Sequence, residues 1–286
     1  MTPEDASGQV ERVKRFYDRN TARFQRLGQG GASIHRAAWG PGVTTREQAF
    51  HHVDEVVLSL IADDPAPRVV DLGCGVGGSL IYLASRRADL VGDGVTISPA
   101  QAGVAASLVA EAGLSGRVRV REGDFLAPQD DLAGADAVFS IEAFAHGPDP
   151  AAYFRRAAGL LRPGGRLVVC DDVLTPAGAT ASPREARWID EFRTGWRIGA
   201  LLTAGEVTGH AADAGLTLVR DDDLTPYLSL HRPRDRWIGV LVATMRPLRL
   251  RGEYWWSLAG GNALRHCLST GLLGYRLLVF ERGTEH

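Results

Sequence analysis

A single carboxylate, Glu142, stands at the end of an apolar run in the stretch "FSIEAFAHGP", residues 139–148. The run is typical of a buried strand, and taking a charge out of water costs on the order of several kcal/mol unless a partner compensates. A carboxylate in this position can accept a proton or pair with a cation. The sequence therefore indicates that something in the fold is paired with Glu142.

A glycine-rich stretch, "VVDLGCGVGG", follows the first predicted strand and contains Asp71, Gly73 and Gly75. Glycines let a backbone approach a ligand closely, and the start of the next helix supplies unpaired N–H groups. Asp71, just before the first glycine, suits a ligand that carries ammonium or sulfonium charge and would repel a pyrophosphate. A dinucleotide site and a tight turn without a ligand are the alternatives.

Composition limits the class of protein. The chain has 286 residues, 45% of them hydrophobic and 23% charged, with a formal net charge of -2. This charge gives no field that would attract nucleic acid, so we expect a small-molecule substrate. A homo-oligomer is compatible with the sequence. Cys74, Cys170 and Cys267 show neither metal-ligand spacing nor a disulfide framework, which predicts a reducing, cytoplasmic location. A charged N-terminus without an apolar core, and the lack of a long apolar run, predict neither secretion nor membrane insertion.

Short apolar runs alternate with helical patterns from Pro67 to about Asp172, which is typical of βα units in a parallel sheet. We predict five strands here, at "PRVVDLGCG", "LVGDGVTIS", "VRVREGDF", "ADAVFSIEA" and "RLVVCDDVL". One intervening helix opens at Ser98-Pro99, with Ser98 as the N-cap and Pro99 in the first helical position. The predicted fold is α/β, a doubly wound and mostly parallel sheet.

The segments outside this core are predicted to be mainly helical, over residues 10–62 and 176–265. "YRLLVFERG" near the end alternates well enough to return as an edge strand. We divide the chain into an N-terminal helical cap (1–64), a ligand-binding core (65–175) and a substrate-binding lid with closing strands (176–286). Ligands of such sheets lie beyond the carboxyl ends of the strands, where the motifs above also fall.

Four motifs together resemble the class I S-adenosylmethionine-dependent methyltransferases over residues 65–175. They are the D-x-G-x-G-x-G turn, "GVTIS" with Gln101 behind it, "EGDF" and "LLRPGGRLVV". The resemblance implies a Rossmann-like core that binds S-adenosylmethionine. The residues assigned to the cofactor are Asp71 and Gly73 near the methionine part, Thr96 and Gln101 near the ribose, Asp124 and Phe125 at the adenine, and also Gly75 on the turn and Ser140 on the fourth strand. Many members carry an acidic residue at the end of the second strand, whereas here Asp93 comes before Gly94-Val-Thr96.

Three further stretches, "SIEAFAH", "FYDRNTARFQRLG…IHRAAWG" and "DLTPYL", resemble the subset that includes sterol, tocopherol and prenyl diphosphate C-methyltransferases. An alkene that attacks a sulfonium methyl becomes a carbocation, so aromatic faces must hold the cation and a base must remove a proton. Glu142 is the predicted base, assisted or oriented by His146. The candidate aromatic residues are Tyr17, Trp39, Phe144, Trp188, Trp196 and Tyr227. The alternatives are a structural Glu142, a loop histidine with its hydrogen bonds satisfied, and ordinary core packing of each ring.

Arginine placement suggests how a diphosphate could be held. Arg193 and Arg197 are spaced i and i+4 on one predicted helical face, and further candidates are His35, Arg36, His231 and Arg232. Mg²⁺ is a candidate ion for bridging the diphosphate. The alternative is a set of solvated arginines paired with Asp190, Glu191 or Asp235.

The sequence thus predicts an S-adenosylmethionine-dependent C-methyltransferase of specialised isoprenoid metabolism, with a prenyl diphosphate as the favoured substrate. Proton loss from the carbocation goes to Glu142. The rival hypotheses are an O- or N-methyltransferase of a natural product, and a cyclase or binding module that keeps the fold without methyl transfer.

Overall fold

A seven-stranded sheet forms the centre of the computed structural model, which describes residues 8–18, 35–127, 130–230, 233–245 and 252–284. The strands lie in the order β3-β2-β1-β4-β5-β7-β6. They are β1 (Arg68–Leu72), β2 (Val91–Thr96), β3 (Val118–Glu122), β4 (Ala135–Ile141), β5 (Leu161–Leu174), β6 (Leu216–Asp223) and β7 (Leu273–Arg282). The first five pair in parallel, and β7 runs antiparallel to both β5 and β6. The predicted doubly wound, mostly parallel sheet is confirmed.

Helices cover both faces of this sheet and its open end. They are α1 (8–18), α2 (Arg46–Phe50), α3 (His52–Leu60), α4 (Gly78–Arg86), α5 (Pro99–Glu111), α6 (Pro150–Leu160), α7 (Pro176–Ala179), α8 (Pro183–Trp196), α9 (Ala204–Asp213), α10 (Pro233–Met245) and α11 (Glu253–Ser269). None of the described helices is long and apolar enough to span a bilayer. The division into segments 1–64, 65–175 and 176–286 stays a prediction.

Polar side chains begin several of these helices. The Ser98 side chain accepts a hydrogen bond from the Gln101 N–H and Pro99 occupies the first turn of α5, as predicted. Ser182 and Thr203 each form a capping box at the starts of α8 and α9. Such caps stabilise a helix by about 0.5–2 kcal/mol each.

Two apolar cores lie on the two faces of the sheet, because neighbouring residues of a strand point to opposite sides. Val69 of β1 packs in one core with Phe139 and Val168, whereas Val70 packs in the other with Val138. This double burial explains why the parallel strands are continuous apolar runs rather than alternating ones.

The position of the last strand corrects one prediction. β7 was expected at an edge, but it lies inside the sheet between β5 and β6, and seven of its ten residues are buried. The edge strand is β6, "LTLVRDDD", which belongs to a stretch predicted to be helical. Charged side chains at Arg220, Asp221 and Asp222 hide its strand pattern, and charges of this kind protect exposed sheet edges.

Candidate active site

The carboxyl ends of β1, β4 and β5 meet where the strand order reverses, between β1 and β4. Doubly wound sheets bind ligands in the crevice at this point. Glu142 follows β4 directly with a φ of 53°, and its N–H donates to the Cys170 carbonyl of β5 at 2.8 Å. A non-glycine residue in this conformation carries about 1–3 kcal/mol of strain. Surrounding contacts must therefore hold Glu142 in place.

Arg36 is the cationic partner that compensates the charge of Glu142. Glu142 Oε1 accepts hydrogen bonds from the Arg36 backbone N–H (2.8 Å), from Arg36 Nε (3.0 Å) and from the Tyr275 hydroxyl (2.9 Å). The other two nitrogens of the guanidinium donate to the two Asp172 oxygens at 2.8 and 3.0 Å. The guanidinium carbon also lies 4.0 Å from the centre of the Tyr275 ring. Among the described residues, Glu142 Oε2 receives none of the hydrogen bonds found, so this oxygen is left for a ligand.

Electrostatics keep Glu142 ionised at neutral pH. Burial raises its pKa, but the charges of Arg36 and His35 and the hydrogen bonds from Arg36 outweigh burial and leave the pKa below its ordinary value. For Asp172 the effect of burial is larger than the opposing effect of the Arg36 charge, so the pKa of Asp172 is raised. Burial, then the charge of Asp172, raise the pKa of Asp171 to about 7. Glu142 and Asp172 together exceed the single charge of Arg36, so the site favours a cation.

His146 lies at the end of a short 3₁₀ turn, Phe144–His146, that follows Glu142. Its Nε2 lies 2.9 Å from the Tyr17 hydroxyl, and its Nδ1 lies 3.4 Å from the Arg197 carbonyl. Since a carbonyl only accepts, Nδ1 carries the proton and Nε2 accepts from Tyr17. Burial lowers the pKa of His146 to about 4, which keeps the ring neutral. These two hydrogen bonds tie His146 to α1 and to the end of α8, and neither is made to Glu142.

The glycine-rich turn leaves a backbone cradle beside this site. Gly73 has a φ of 98°, and a Cβ built there would lie 2.3 Å from Cβ of Ala143 in the segment after β4. Gly75 and Gly77 also have positive φ, at 54° and 80°, and Gly77 is the N-cap of α4. Asp71 is 4% exposed, and burial followed by the charge of Asp54 raises its pKa. Only glycine fits at position 73, because Ala143 fills the space that a Cβ would need, so the turn after β1 packs directly against the segment after β4.

The residues assigned to the ribose lie at the end of β2. Thr96 is the last residue of that strand, and its hydroxyl donates to Gln101 Oε1 at 2.7 Å, both side chains being buried. Asp93 is three residues earlier within β2 and is 8% exposed. The Ser98 hydroxyl donates to Asp18 of α1 at 2.5 Å, so α1 lies over this end of the sheet. The ribose assignment stays a prediction.

The adenine candidates follow β3. Asp124 and Phe125 are half-buried, and Asp124 Oδ1 accepts from the Leu126 N–H at 2.9 Å. The Phe125 ring meets that of Tyr153 edge-on, with centroids 5.6 Å apart. Ser140 is fully buried within β4. Their roles toward a cofactor also stay predictions.

The predicted aromatic residues divide into three groups. Trp39 and Tyr227 are joined through their backbones, since the Trp39 backbone N–H donates to the Tyr227 carbonyl at 2.8 Å. Trp196 at the end of α8 lies 6.3 Å from Phe16 of α1, and Trp188 stacks on His266 of α11 at 4.2 Å. Phe144 is 3% exposed and packs against Tyr153 and Phe154 in the second core. We therefore leave Phe144 out of the proposed pocket.

The prediction that Arg193 and Arg197 lie on one helical face is wrong, and their role toward a substrate stays a prediction. The helix ends at Trp196, and Arg197 caps it in the left-handed conformation with a φ of 58°. Arg193 is exposed, whereas Arg197 Nη1 donates to the Thr194 carbonyl at 2.8 Å. His231 and Arg232 lie outside the described residues.

His35 precedes Arg36 and lies 3.4 Å from the Ser79 hydroxyl at the start of α4. Arg36 itself is paired with two carboxylates. Within the described ranges, no group of three or more His, Cys, Asp or Glu residues could hold a metal ion.

Sequence reasoning missed Asp171, Asp172 and Tyr275. The two aspartates had a signal, because "CDD" at the end of a predicted buried strand repeats the situation of Glu142. Tyr275 had none, because its strand was expected at an edge, where a tyrosine is ordinary.

Comparison with known proteins places this site in a family. A family model described as a methyltransferase domain matches residues 69–165. The 27-O-demethylrifamycin SV methyltransferase of Amycolatopsis mediterranei (strain S699) is 29% identical over 199 residues, which are 69% of this chain and 71% of that protein. The 24-methylenesterol C-methyltransferase 2 of Oryza sativa subsp. japonica is 30% identical over 194 residues, 68% of this chain and about half (53%) of that protein.

Solved structures share the whole fold. Geranyl diphosphate C-methyltransferase from Streptomyces coelicolor A3(2) has a TM-score of 0.72 at 20% identity, with 98% of each chain covered. The [4+2]-cyclase SpnF has a TM-score of 0.74 at 23% identity, with 96% of each chain covered. Domain match, relatives and sheet topology together support an S-adenosylmethionine-dependent methyltransferase with the class I fold.

Proposed function

We propose that the protein methylates an alkene carbon of a small isoprenoid, with a prenyl diphosphate as the favoured substrate, and that Glu142 takes up the proton. The observation that carries this proposal is the arrangement around Glu142. One of its oxygens accepts three hydrogen bonds from Arg36 and Tyr275, while the other oxygen receives none from the described residues.

The low pKa of Glu142 favours methylation of carbon over methylation of oxygen. A carboxylate with a lowered pKa is a poor base for an ordinary hydroxyl, since even a phenol has a pKa of about 10. The protons beside a carbocation are far more acidic, and a weak, fully ionised base removes them readily. The negative charge shared by Glu142 and Asp172 also stabilises the developing cation before its proton is lost.

The cofactor is proposed to bind at the glycine-rich turn after β1, next to the segment after β4 that packs against Gly73. Asp71, Gly75, Thr96, Gln101, Asp124, Phe125 and Ser140 are the residues proposed to hold it, with Asp71 nearest its positive charges. S-adenosylmethionine supplies an electrophilic methyl group on a sulfonium. Tyr17, Trp39, Trp196 and Tyr227 are proposed to line the substrate side, and α1 to exclude water there.

The proposed diphosphate head group follows the substrate named for one structural neighbour. Geranyl diphosphate C-methyltransferase shares the fold, and sterol C-methylation is the activity named for one relative. The charge of the Arg36 guanidinium is already offset by Glu142 and Asp172, which accept three of its five N–H donors. A diphosphate would therefore be gripped by Arg197, Arg193 and the region of His231 and Arg232 rather than by Arg36. Mg²⁺ would then depend on the diphosphate itself, because the described residues contain no metal-binding group.

Two rivals have support of their own. O-methylation is the activity named for the rifamycin relative, and a cyclase shares the fold. His146 is poorly suited as the base that O-methylation needs, because its Nε2 lone pair accepts from Tyr17 and its pKa is lowered to about 4.

Release of S-adenosylhomocysteine separates these hypotheses. The enzyme is incubated with isopentenyl, dimethylallyl, geranyl and farnesyl diphosphates, with and without Mg²⁺, and in parallel with a sterol and a phenol. Turnover on a diphosphate or a sterol, with the new methyl on carbon by mass spectrometry and NMR, supports alkene methylation. Turnover on the phenol alone replaces the proposal by O-methylation, and conversion of a polyene without S-adenosylhomocysteine identifies a cyclase.

Glu142→Gln tests the base directly. The amide keeps the size of the side chain and can still accept from Arg36 and Tyr275, but it cannot take up the proton. We expect kcat to fall by about 10²–10⁴-fold, with unchanged affinity for S-adenosylhomocysteine in calorimetry. Full turnover in this variant would remove Glu142 from the mechanism.

A further inference from the structure

Helix α10 is apolar on two sides, but only one side is covered in the described structure. Val242 is 1% exposed, and a Cβ on Gly239 would lie 3.3 Å from Asn262 of α11, so this side packs on α11. On the other side, Trp237 is 75% exposed, Val240 56% and Leu241 47%. Their spacing of i, i+3 and i+4 puts them on one continuous stripe. A helix with this pattern normally buries both sides.

This stripe is the largest exposed apolar feature that the described residues show. Trp237 is the most exposed of their large hydrophobic side chains, and two of the others lie within one helical turn of it. Single exposed apolar residues are ordinary, whereas a contiguous aromatic and aliphatic stripe marks a surface that binds something.

Positive charge is concentrated in the sequence that contains α10. Residues 232–251 include six arginines and one acidic residue, Asp235, in a chain whose formal net charge is -2. Arg234 and Arg236 belong to the first turn of α10. The guanidinium of Arg265 on α11 also lies beside the helix, 3.5 Å from a Cβ built on Gly239. Basic residues clustered in sequence around an exposed apolar stripe favour attraction to an anionic membrane surface.

We propose that α10 docks the enzyme on an anionic lipid surface, with Trp237, Val240 and Leu241 entering the boundary between head groups and acyl chains. The 13 residues of α10 span about 20 Å, which is too short to cross a bilayer but sufficient to lie along its surface. The positive charge of the sequence around α10 then attracts the anionic head groups.

A second copy of the chain fits this stripe less well. If two copies packed α10 against α10 through this stripe, the basic residues of one copy would face the basic residues of the other. The basic residues occur on both sides of the stripe in sequence, so parallel and antiparallel arrangements both place like charges together. A lipid surface removes this repulsion, since it supplies the opposite charge.

Vesicle sedimentation with the full chain tests the proposal. We expect binding to phosphatidylcholine vesicles that contain phosphatidylglycerol, little binding to phosphatidylcholine alone, and weaker binding as salt is added. The double variant Trp237→Ser, Leu241→Ser should lower the partition coefficient by more than about tenfold. The control is Val219→Ser, which removes an apolar residue that is 53% exposed, between Leu241 and Trp237 in exposure, from the edge strand β6 and should bind like the parent.

Circular dichroism and thermal unfolding of each variant exclude loss of the fold as the cause. No binding by the parent chain, or equal binding by the double variant, overturns the proposal. So does a concentration-dependent dimer in analytical ultracentrifugation that the double variant abolishes, because the stripe is then covered by a second copy. None of these outcomes depends on the methyl acceptor, so the docking surface and the proposed function fail separately.

Discussion

Three donors converge on one oxygen of Glu142, and this convergence decides how the residue titrates. Arg36 supplies two of them and also bridges to Asp172. At the scale of single residues the site is therefore one buried ionic network, in which a change at Arg36 alters the protonation of both carboxylates. The sequence pointed to Glu142 but not to its partner, because the two are 106 positions apart.

Arg36→Gln should expose this coupling in the pH profile. In the parent enzyme the pKa of Glu142 is lowered, so Glu142 stays ionised and the enzyme stays active until the pH falls through that low value. Without the guanidinium its pKa rises, and we expect the acid limb of kcat to move to higher pH, with activity at pH 6 lost first. Removing one partner of a buried ion pair also costs about 3–5 kcal/mol of stability.

The control for this change is Arg155→Gln, at an exposed position of α6. It should leave both the pH profile and the midpoint of urea unfolding unchanged. An acid limb at the same pH in Arg36→Gln and in the parent would contradict the network described above.

At the scale of elements, two segments pack directly against each other. They are the turn between β1 and α4 and the segment after β4. The contact between positions 73 and 143 is so close that it fixes the distance between the two elements that border the cofactor cradle. The glycine pattern of this turn was readable from sequence, as were the cap of α5 and the parallel strands, because each depends on local residue types. The antiparallel pair β6 and β7 could not be predicted from the sequence, because its register depends on contacts between distant parts of the chain.

Gly73→Ala should damage both stability and cofactor binding. A methyl group there meets Ala143, and alanine resists a positive φ, which together cost about 2–4 kcal/mol. Calorimetry with S-adenosylhomocysteine and urea unfolding measure the two effects.

Gly103→Ala on α5 is the matched control, since nothing lies within 4 Å of its added Cβ. Alanine in a helix interior should stabilise by up to about 1 kcal/mol there. Parental cofactor affinity in Gly73→Ala would show that the cradle tolerates a side chain.

At the scale of the whole molecule, α1 joins the core through polar contacts at both ends of the site. Tyr17 reaches His146, and Asp18 reaches Ser98 at the start of α5. Composition and pattern predicted a helical cap, but they could not predict where it attaches. Such attachments arise only after the sheet has brought Ser98 and His146 to the same edge.

His146→Gln should change how stability depends on pH. The folded His146 has a pKa of about 4, and an unfolded histidine has one of about 6.5. Between these values the unfolded chain binds the proton and the folded chain does not, so stability falls as the pH is lowered through this range, by about 3 kcal/mol in all.

The variant loses this dependence, and its deficit in free energy of unfolding relative to the parent should shrink from pH 7 to pH 4. Asp171, which titrates in the opposite sense, is present in both proteins and cancels in the difference. A constant deficit across the range would show that His146 takes up its proton in the folded state.

Lys14 of α1 is the only lysine in the chain, and its Nζ donates to Glu122 of β3 at 2.6 Å. The hydrogen bond and charge of Glu122 raise the pKa of this amine. An acylating reagent therefore finds a single side-chain amine, and that amine reacts slowly while α1 is seated. The rate of acylation at Lys14, followed by intact mass, therefore reports how often α1 separates from the sheet. A ligand bound beneath α1 should lower this rate.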